Sequence, residues 1–183
     1  VSRFWPSDTN DALDRLSVQR GFSLFYPPEL MGCHIGPETC HLTGRQHDLT
    51  FRAGVAFWGH LGIEMDITTL SDHDRATMML LIELYKIHRQ LLHSGQPQRL
   101  DRPKEEMGWG VVSTAQEEGL FGHAQLMSAL RPFPVRYRFQ GLDKSAHYRV
   151  QCIWPPIDSD FLNDHVASLQ EQKLSGDVLM QLG

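Results

Sequence analysis

The sequence predicts an α/β half followed by an all-β half, and three observations carry that reading. Over residues 1–95, apolar residues alternate between helical spacing and short continuous runs, as strands and helices do in succession. After Gly95 they fall at every second position, the period of antiparallel sheet with one wet face. Pro97 and Pro103, with charged residues between them, mark a junction. The expected domains are therefore 1–95 and 96–183.

In chain order, residues 2–5 read as a strand that ends in a loop. The loop feeds a helix beginning near Asn10 or Asp11, either of which can cap exposed amides. Leu13, Leu16 and Arg20 continue that helix until Gly21 interrupts it. Residues 22–26 form a short apolar run halted by Pro27-Pro28, which predicts a buried parallel strand. A second helix is expected over 47–58 and a strand over 61–67. The clearest helix runs from Ser71 to about His93, with Ser71 and Asp74 as a capping box bearing a short acid. Met79, Ile82 and Lys86, with Leu80, Leu84, Ile87 and Leu91 on an adjoining row, predict a wide apolar face, and Ser94-Gly95 supplies the stop. Beyond it, period-two segments at 110–113, 120–126, 135–139 and 148–154 predict a small antiparallel β-sandwich. Val135, Tyr137 and Phe139 should face inward and Arg136 and Arg138 outward, with Gly141-Leu142-Asp143 as a turn.

Composition narrows the partners. The chain has 183 residues, 41% hydrophobic and 21% charged, with a net charge of −5. That balance belongs to globular proteins and not to disordered ones. Its 17 Lys and Arg are scattered, without the basic block that nucleic acid requires. No run approaches the ~18 apolar residues of a membrane span. Cys33, Cys40 and Cys152 are an odd set, so reduced thiols in a cytoplasmic protein are expected. The chain opens at Val1 without a methionine or signal peptide, and we expect it to be a piece of a longer protein.

The most informative segment is Trp5-Pro6-Ser7-Asp8-Thr9-Asn10-Asp11, followed by Ala12-Leu13-Asp14-Arg15. In parallel α/β folds, active sites gather where strands end and helices begin. Asp8 would sit there, with Trp5 as an apolar wall or sugar-stacking face; burial of a carboxyl against such a ring favours the protonated form that a general acid needs. From pattern alone, Asp8, Asn10 and Asp11 read first as turn and cap residues, since Asx residues before helices are common. His34, expected after the next strand, faces substrate or hydrogen-bonds within its loop. Cys33-His34 and Cys40-His41 hold the right atoms for zinc but not the usual ligand spacing, so no metal is expected. Arg45 and Arg52 read as salt-bridge partners, and Trp58, Trp109 and Trp154 as core or interface aromatics.

These residues also carry a resemblance. Residues 5–15, then Gln19-Arg20-Gly21-Phe22-Ser23-Leu24 and Tyr26-Pro27-Pro28-Glu29-Leu30-Met31-Gly32-Cys33-His34, are similar to the acid/base region of glycoside hydrolase family 36. His41-Leu42-Thr43-Gly44-Arg45, Phe51-Arg52-Ala53, residues 59–66, Leu84-Tyr85-Lys86 and residues 91–95 continue it over about half the chain. The later sheet resembles that family's C-terminal domain only in character, best at 148–156.

The resemblance implies the last part of a (β/α)₈ TIM barrel plus a C-terminal antiparallel β-sandwich domain. It implies a retaining α-galactosidase that removes terminal galactose from raffinose- or melibiose-type oligosaccharides. Asp8 carries over as the acid/base, Asp11 as a supporting substrate-site residue, and Trp5 and His34 as substrate-facing groups. The family's nucleophile lies in a Lys-Trp-Asp motif, which this chain lacks, so the chain alone should be inactive. Two carboxylates suffice for the chemistry, and no cofactor is implied. Family members commonly form homo-oligomers. A sister α-N-acetylgalactosaminidase, or a non-catalytic carbohydrate-binding or oligomerisation module, are the competing readings.

Overall fold

The computed structural model describes residues 3–128, 135–154 and 172–181. They form two compact units: one reaches His93 and includes Trp154, and the other begins at Ser94.

The first unit is built on parallel strand segments, each followed by a helix. Phe4 bridges Met31 in parallel, with its N–H on the Leu30 carbonyl at 2.7 Å and its carbonyl accepting from Gly32 N at 2.9 Å. Strand β1 (Gly32–Ile35) then pairs in parallel with β2 (His60–Ile63), placing Cys33 beside Leu61 and His34 beside Gly62. Helix α1 (Ala12–Phe22) follows the Phe4 segment, α2 (Leu49–Ala56) follows β1, and α3 (Asp72–Ser94) follows β2. Side chains alternate across β1: Cys33 and Ile35 are fully buried, whereas His34 between them is partly open. Leu16, Ala53 and Leu81 are buried on α1, α2 and α3 in turn.

Each helix starts on a cap. Asp11 accepts from Leu13 N and Asp14 N, Asp48 from Phe51 N, and Ser71 from Asp74 N, while the Ser71 hydroxyl donates to Asp74. The expected strand at 22–26 does not exist. Helix α1 runs on through Gly21 to Phe22, and Phe25 lies 82% exposed in the turn that follows. The strand is Gly32–Ile35, beyond the prolines, because a run holding Pro27-Pro28 cannot complete a ladder. On α3 the buried residues are Thr77, Met78, Leu81, Leu91 and Leu92, while Met79, Leu80 and Ile87 are exposed. Of the expected face Leu91 is buried and Ile82 and Leu84 are half-buried, so the stripe is wider than the part that is covered.

The second unit is antiparallel. Strand β4 (Glu106–Val112) lies between β3 (Gln96–Leu100) and β5 (Gly119–Gln125), and β6 (His147–Arg149) pairs with β7 (Lys173–Ser175) ahead of α4 (Gly176–Gln181). The expected junction at 96–103 is largely strand: Pro97 is tolerated because β3 forms the sheet edge. Val112, Leu142 and Leu179 form the core, with Phe121, Phe139 and Tyr148 packed on it.

Residues 135–139 keep the expected alternation, with Val135, Tyr137 and Phe139 half-buried and Arg136 and Arg138 exposed. They form no ladder, because side chains take their place: Arg102 donates to the carbonyls of Val135 and Arg136. The strand expected at 148–154 stops at Arg149. Gly141 sits at φ +76° in the expected turn.

Candidate functional site

Asp8 stands just past the C-terminal end of the Phe4 segment, in a loop braced by its own polar side chains. Thr9 N–H donates to Ser7 Oγ at 3.1 Å, and Asp11 N–H to Thr9 Oγ1 at 3.3 Å. The Asp8 carboxylate accepts the Trp5 indole N–H at 2.8 Å. The expected burial of Asp8 against the Trp5 ring is not found: both residues are exposed, and it is the polar edge of the indole that meets the carboxylate.

Trp5 instead lays its ring over His34, 4.0 Å between centroids and tilted 38°. His34 occupies the same strand face as Gly32 and Gly62, and the two glycines leave room for its ring. A Cβ on Gly62 would come within 2.5 Å of the imidazole, and one on Gly32 within 3.2 Å. Burial, then the Arg15 charge, holds the His34 pKa below its usual value, with Glu64 opposing. Its Nδ1 is buried without a hydrogen-bond partner among the described residues.

Arg15 of α1 has a side chain only 3% exposed. Its Nη2 is 3.6 Å from Glu64 Oε2, and Glu64 follows β2 with its N–H on the Ile35 carbonyl at 2.9 Å. Burial lowers the Arg15 pKa, against the attraction of Cys33, Glu64 and Asp8. Asp8, His34 and Glu64 are thus three polar residues at or near the ends of three neighbouring parallel segments, where barrel and doubly wound enzymes keep their chemistry.

Asp11 does not join them. It is 1% exposed, and protein donors surround its carboxylate. Besides the two capping amides, Thr43 Oγ1 donates at 2.5 Å and Arg45 Nη1 at 3.0 Å, and His47 Nε2 lies 3.5 Å away. Burial would raise its pKa, but the hydrogen bonds from Thr43 and the Asp14 amide and the Arg45 charge outweigh that and lower it. Asp11 is a clasp between α1 and the loop at 40–45, with Arg45 also reaching Asp14 at 2.7 Å. A direct contact with substrate is closed to it.

The remaining candidates are structural. Arg52 donates to the carbonyls of His47 and Gly36 and not to a carboxylate. Trp154 donates to the Thr50 carbonyl at 3.0 Å and its ring edge lies over Gly54. Cys33, Cys40 and Cys152 are free of disulfides, and burial pushes the Cys33 thiol up to about 12. No group of three His, Cys, Asp or Glu among the described residues is placed to hold a metal ion. The sequence reading missed Arg15, Glu64 and the Thr43–Arg45 clasp; only Glu64 had a usable signal, its place at the end of a predicted strand.

Parallel strand–helix units that gather polar residues at their ends, continued by antiparallel sheets, define a segment of a (β/α)₈ barrel with a C-terminal β domain. Residues 1–95 match the Melibiase family model, and residues 106–183 match the glycosyl hydrolase family 36 C-terminal domain. The α-galactosidase of Escherichia coli is 43% identical over 155 residues, which is 84% of this chain and 22% of that protein. AgaA, the α-galactosidase of Geobacillus stearothermophilus, is 35% identical over 150 residues, 80% of this chain and 20% of its own length. The galactosidase domain of AgaSK superposes with a TM-score of 0.84 at 29% identity, covering 100% of this chain and 23% of that one. A crystal structure of an AgaA variant in complex with raffinose gives 0.78 at 30% identity, covering 95% of this chain and 22% of that one. The chain belongs to the melibiase family, glycoside hydrolase family 36. It spans about a fifth of the length of these relatives.

Proposed function

We propose that this chain is the acid/base-bearing part of a retaining α-galactosidase, with Asp8 as the proton donor and later the base. The observation that carries the proposal is the placement of Asp8: it follows a parallel strand segment, is held by Trp5 at 2.8 Å, and adjoins the Trp5–His34 wall. In the full-length enzyme a carboxylate from another part of the barrel attacks the anomeric carbon while Asp8 protonates the departing oxygen. Asp8 then takes a proton from the water that releases galactose. Retaining glycosidases hold two such carboxyls about 5–5.5 Å apart, so one carboxylate cannot perform both steps and the 183-residue chain by itself is inactive.

Trp5 and His34 offer stacking and hydrogen bonding to the bound sugar, and Asp11 positions the Asp8 loop without touching substrate. The substrates are oligosaccharides ending in α-linked galactose; variants of the relative AgaA have been crystallised with raffinose and with stachyose. Cytoplasmic location and assembly into a homo-oligomer are part of the same proposal.

The test is Asp8→Asn in a full-length enzyme carrying this segment, assayed on melibiose and on an aryl α-galactoside. Melibiose needs a proton on its leaving oxygen; an activated phenol does not. Turnover of melibiose should fall by about 10²–10⁴-fold, the usual worth of a general acid, while galactosylation by the aryl substrate is partly spared. Equal losses on both substrates would remove Asp8 from the acid role.

A further inference from the structure

We infer that His41 selects the leaving group: its Nε2–H donates to a hydroxyl of the sugar expelled beside Asp8, favouring polyhydroxylated leaving groups over simple alkyl ones. The inference rests on the proposed acid/base role, because the group that protonates a leaving oxygen stands on the leaving group's side. We place His41, which is hydrogen-bonded to the Asp8 loop through Asn10, on the same side.

Asn10, two residues past Asp8, donates from Nδ2 to His41 Nδ1 at 3.2 Å. An amide nitrogen can only donate, so Nδ1 accepts and the neutral ring carries its proton on Nε2. That nitrogen has no hydrogen-bond partner among the described residues, and the ring is exposed. Asn10 is itself held against Gly36, where any Cβ would approach the Asn10 Cβ to 2.6 Å.

The turn that carries His41 is fixed at both ends. Cys40 N–H donates to the Arg45 carbonyl at 2.9 Å, Gly44 N–H returns to the Cys40 carbonyl at 2.8 Å, and Thr43 and Arg45 are clasped by Asp11. Gly44 sits at φ +70°, a conformation a side chain would resist. Next to His41, Leu42 is 65% exposed on the same turn. A donor presented on a turn already ordered loses little freedom on binding, which is what a selective contact needs.

The experiment compares melibiose with methyl α-galactoside in a full-length enzyme carrying this segment. Both leaving groups are poor and need the acid equally, but only the sugar offers hydroxyls. His41→Ala should lower the melibiose-to-methyl ratio of kcat/KM by about 3- to 10-fold, the net worth of one hydrogen bond. His41→Phe, which keeps a ring without the donor, should lower the same ratio should the alanine variant fail to fold. A ratio unchanged within about 2-fold overturns the inference, including the case where both substrates fall together and His41 merely serves Asp8. A parent enzyme that hydrolyses neither galactoside speaks against the proposed function instead.

Discussion

Replacing Asp11 should loosen the start of α1 by an amount its hydrogen bonds set. The carboxylate accepts the amides of Leu13 at 3.0 Å and Asp14 at 3.3 Å, so alanine removes an N-cap worth about 1–2 kcal/mol. It also removes the acceptor for Thr43, worth about 1 kcal/mol. The exposed Arg45 partner adds little, since solvent screens it. Local opening of that turn should therefore become about 2–3 kcal/mol easier, and exchange of the Leu13 and Asp14 amides about 30- to 150-fold faster. Asp11→Asn keeps the oxygen that caps Leu13 and Asp14 but puts an NH2 where Thr43 and Arg45 donate, so its amides should exchange only about 5-fold faster, the worth of the lost Thr43 bond. The Asp11 pKa is lowered in the folded state, so its contribution is present above the unfolded value near 3.9 and disappears as pH falls through the folded one. Amide exchange read by mass spectrometry or NMR decides it. Equal rates in wild type and Asp11→Ala would refute both cap and clasp, and an asparagine variant as loose as the alanine would refute the cap.

Three further outcomes test the two units. Cys33, fully buried with its thiol pushed up to about 12, should resist iodoacetamide at neutral pH until the chain is unfolded, while the half-buried Cys152 reacts; equal labelling would contradict the strand packing. The His93 ring stacks on His60 at 4.2 Å and binds the Tyr85 hydroxyl at 2.8 Å. Burial first, then His60, Arg3 and Arg89, press its pKa down against the pull of Glu29. A folded state that takes up a proton less readily than the unfolded chain loses stability as pH falls below about 6.5, by at most about 1.4 kcal/mol per pH unit for this one proton. His93→Gln should flatten that acid slope in urea titrations between about pH 7 and pH 5, although His34, shifted in the same direction, will retain part of it. A slope untouched by the substitution would remove His93 from the account. In the second unit, Arg102 binds Glu106 and lies 5.2 Å from the Tyr137 ring centroid. Arg102→Ala leaves a buried carboxylate with only His123 and should cost about 3 kcal/mol, speeding exchange of the β4 amides about 100-fold; unchanged protection would show the pair to be dispensable.

What the sequence made legible was local. Helix α3 came from the Ser71 cap and its apolar spacing, α2 fell within the expected 47–58, and the alternation at 135–139 came from period two. The failures share a cause: pairing between distant residues. The run at 22–26 has strand composition, but α1 claims Phe22 and the prolines deny the rest a ladder; β1 forms because Gly32 and Gly62 let a parallel neighbour and the His34 ring approach. At 135–139 the inward faces were right and the ladder was absent, because Arg102, more than thirty positions away, takes two of the carbonyls.

The site divides along the same line. The place of Asp8 after a strand was legible, and so was its closeness to Trp5, because Trp5 lies three positions back and holds its carboxylate; the expected burial was not. Asp11 was half legible, as a cap but not as a clasp, since Thr43 and Arg45 lie 32 and 34 positions downstream. That difference changes its role. A carboxylate buried under protein donors cannot meet a sugar, yet it fixes where α1 begins and so where the loop at 7–10 must end. Trp5 holds one side of Asp8 and the Asp11 cap holds the other. Misplacing a reacting group by about 1 Å can cost 10²-fold in rate. Asp11 therefore shapes the reaction we propose through the position of Asp8, although it touches nothing that reacts.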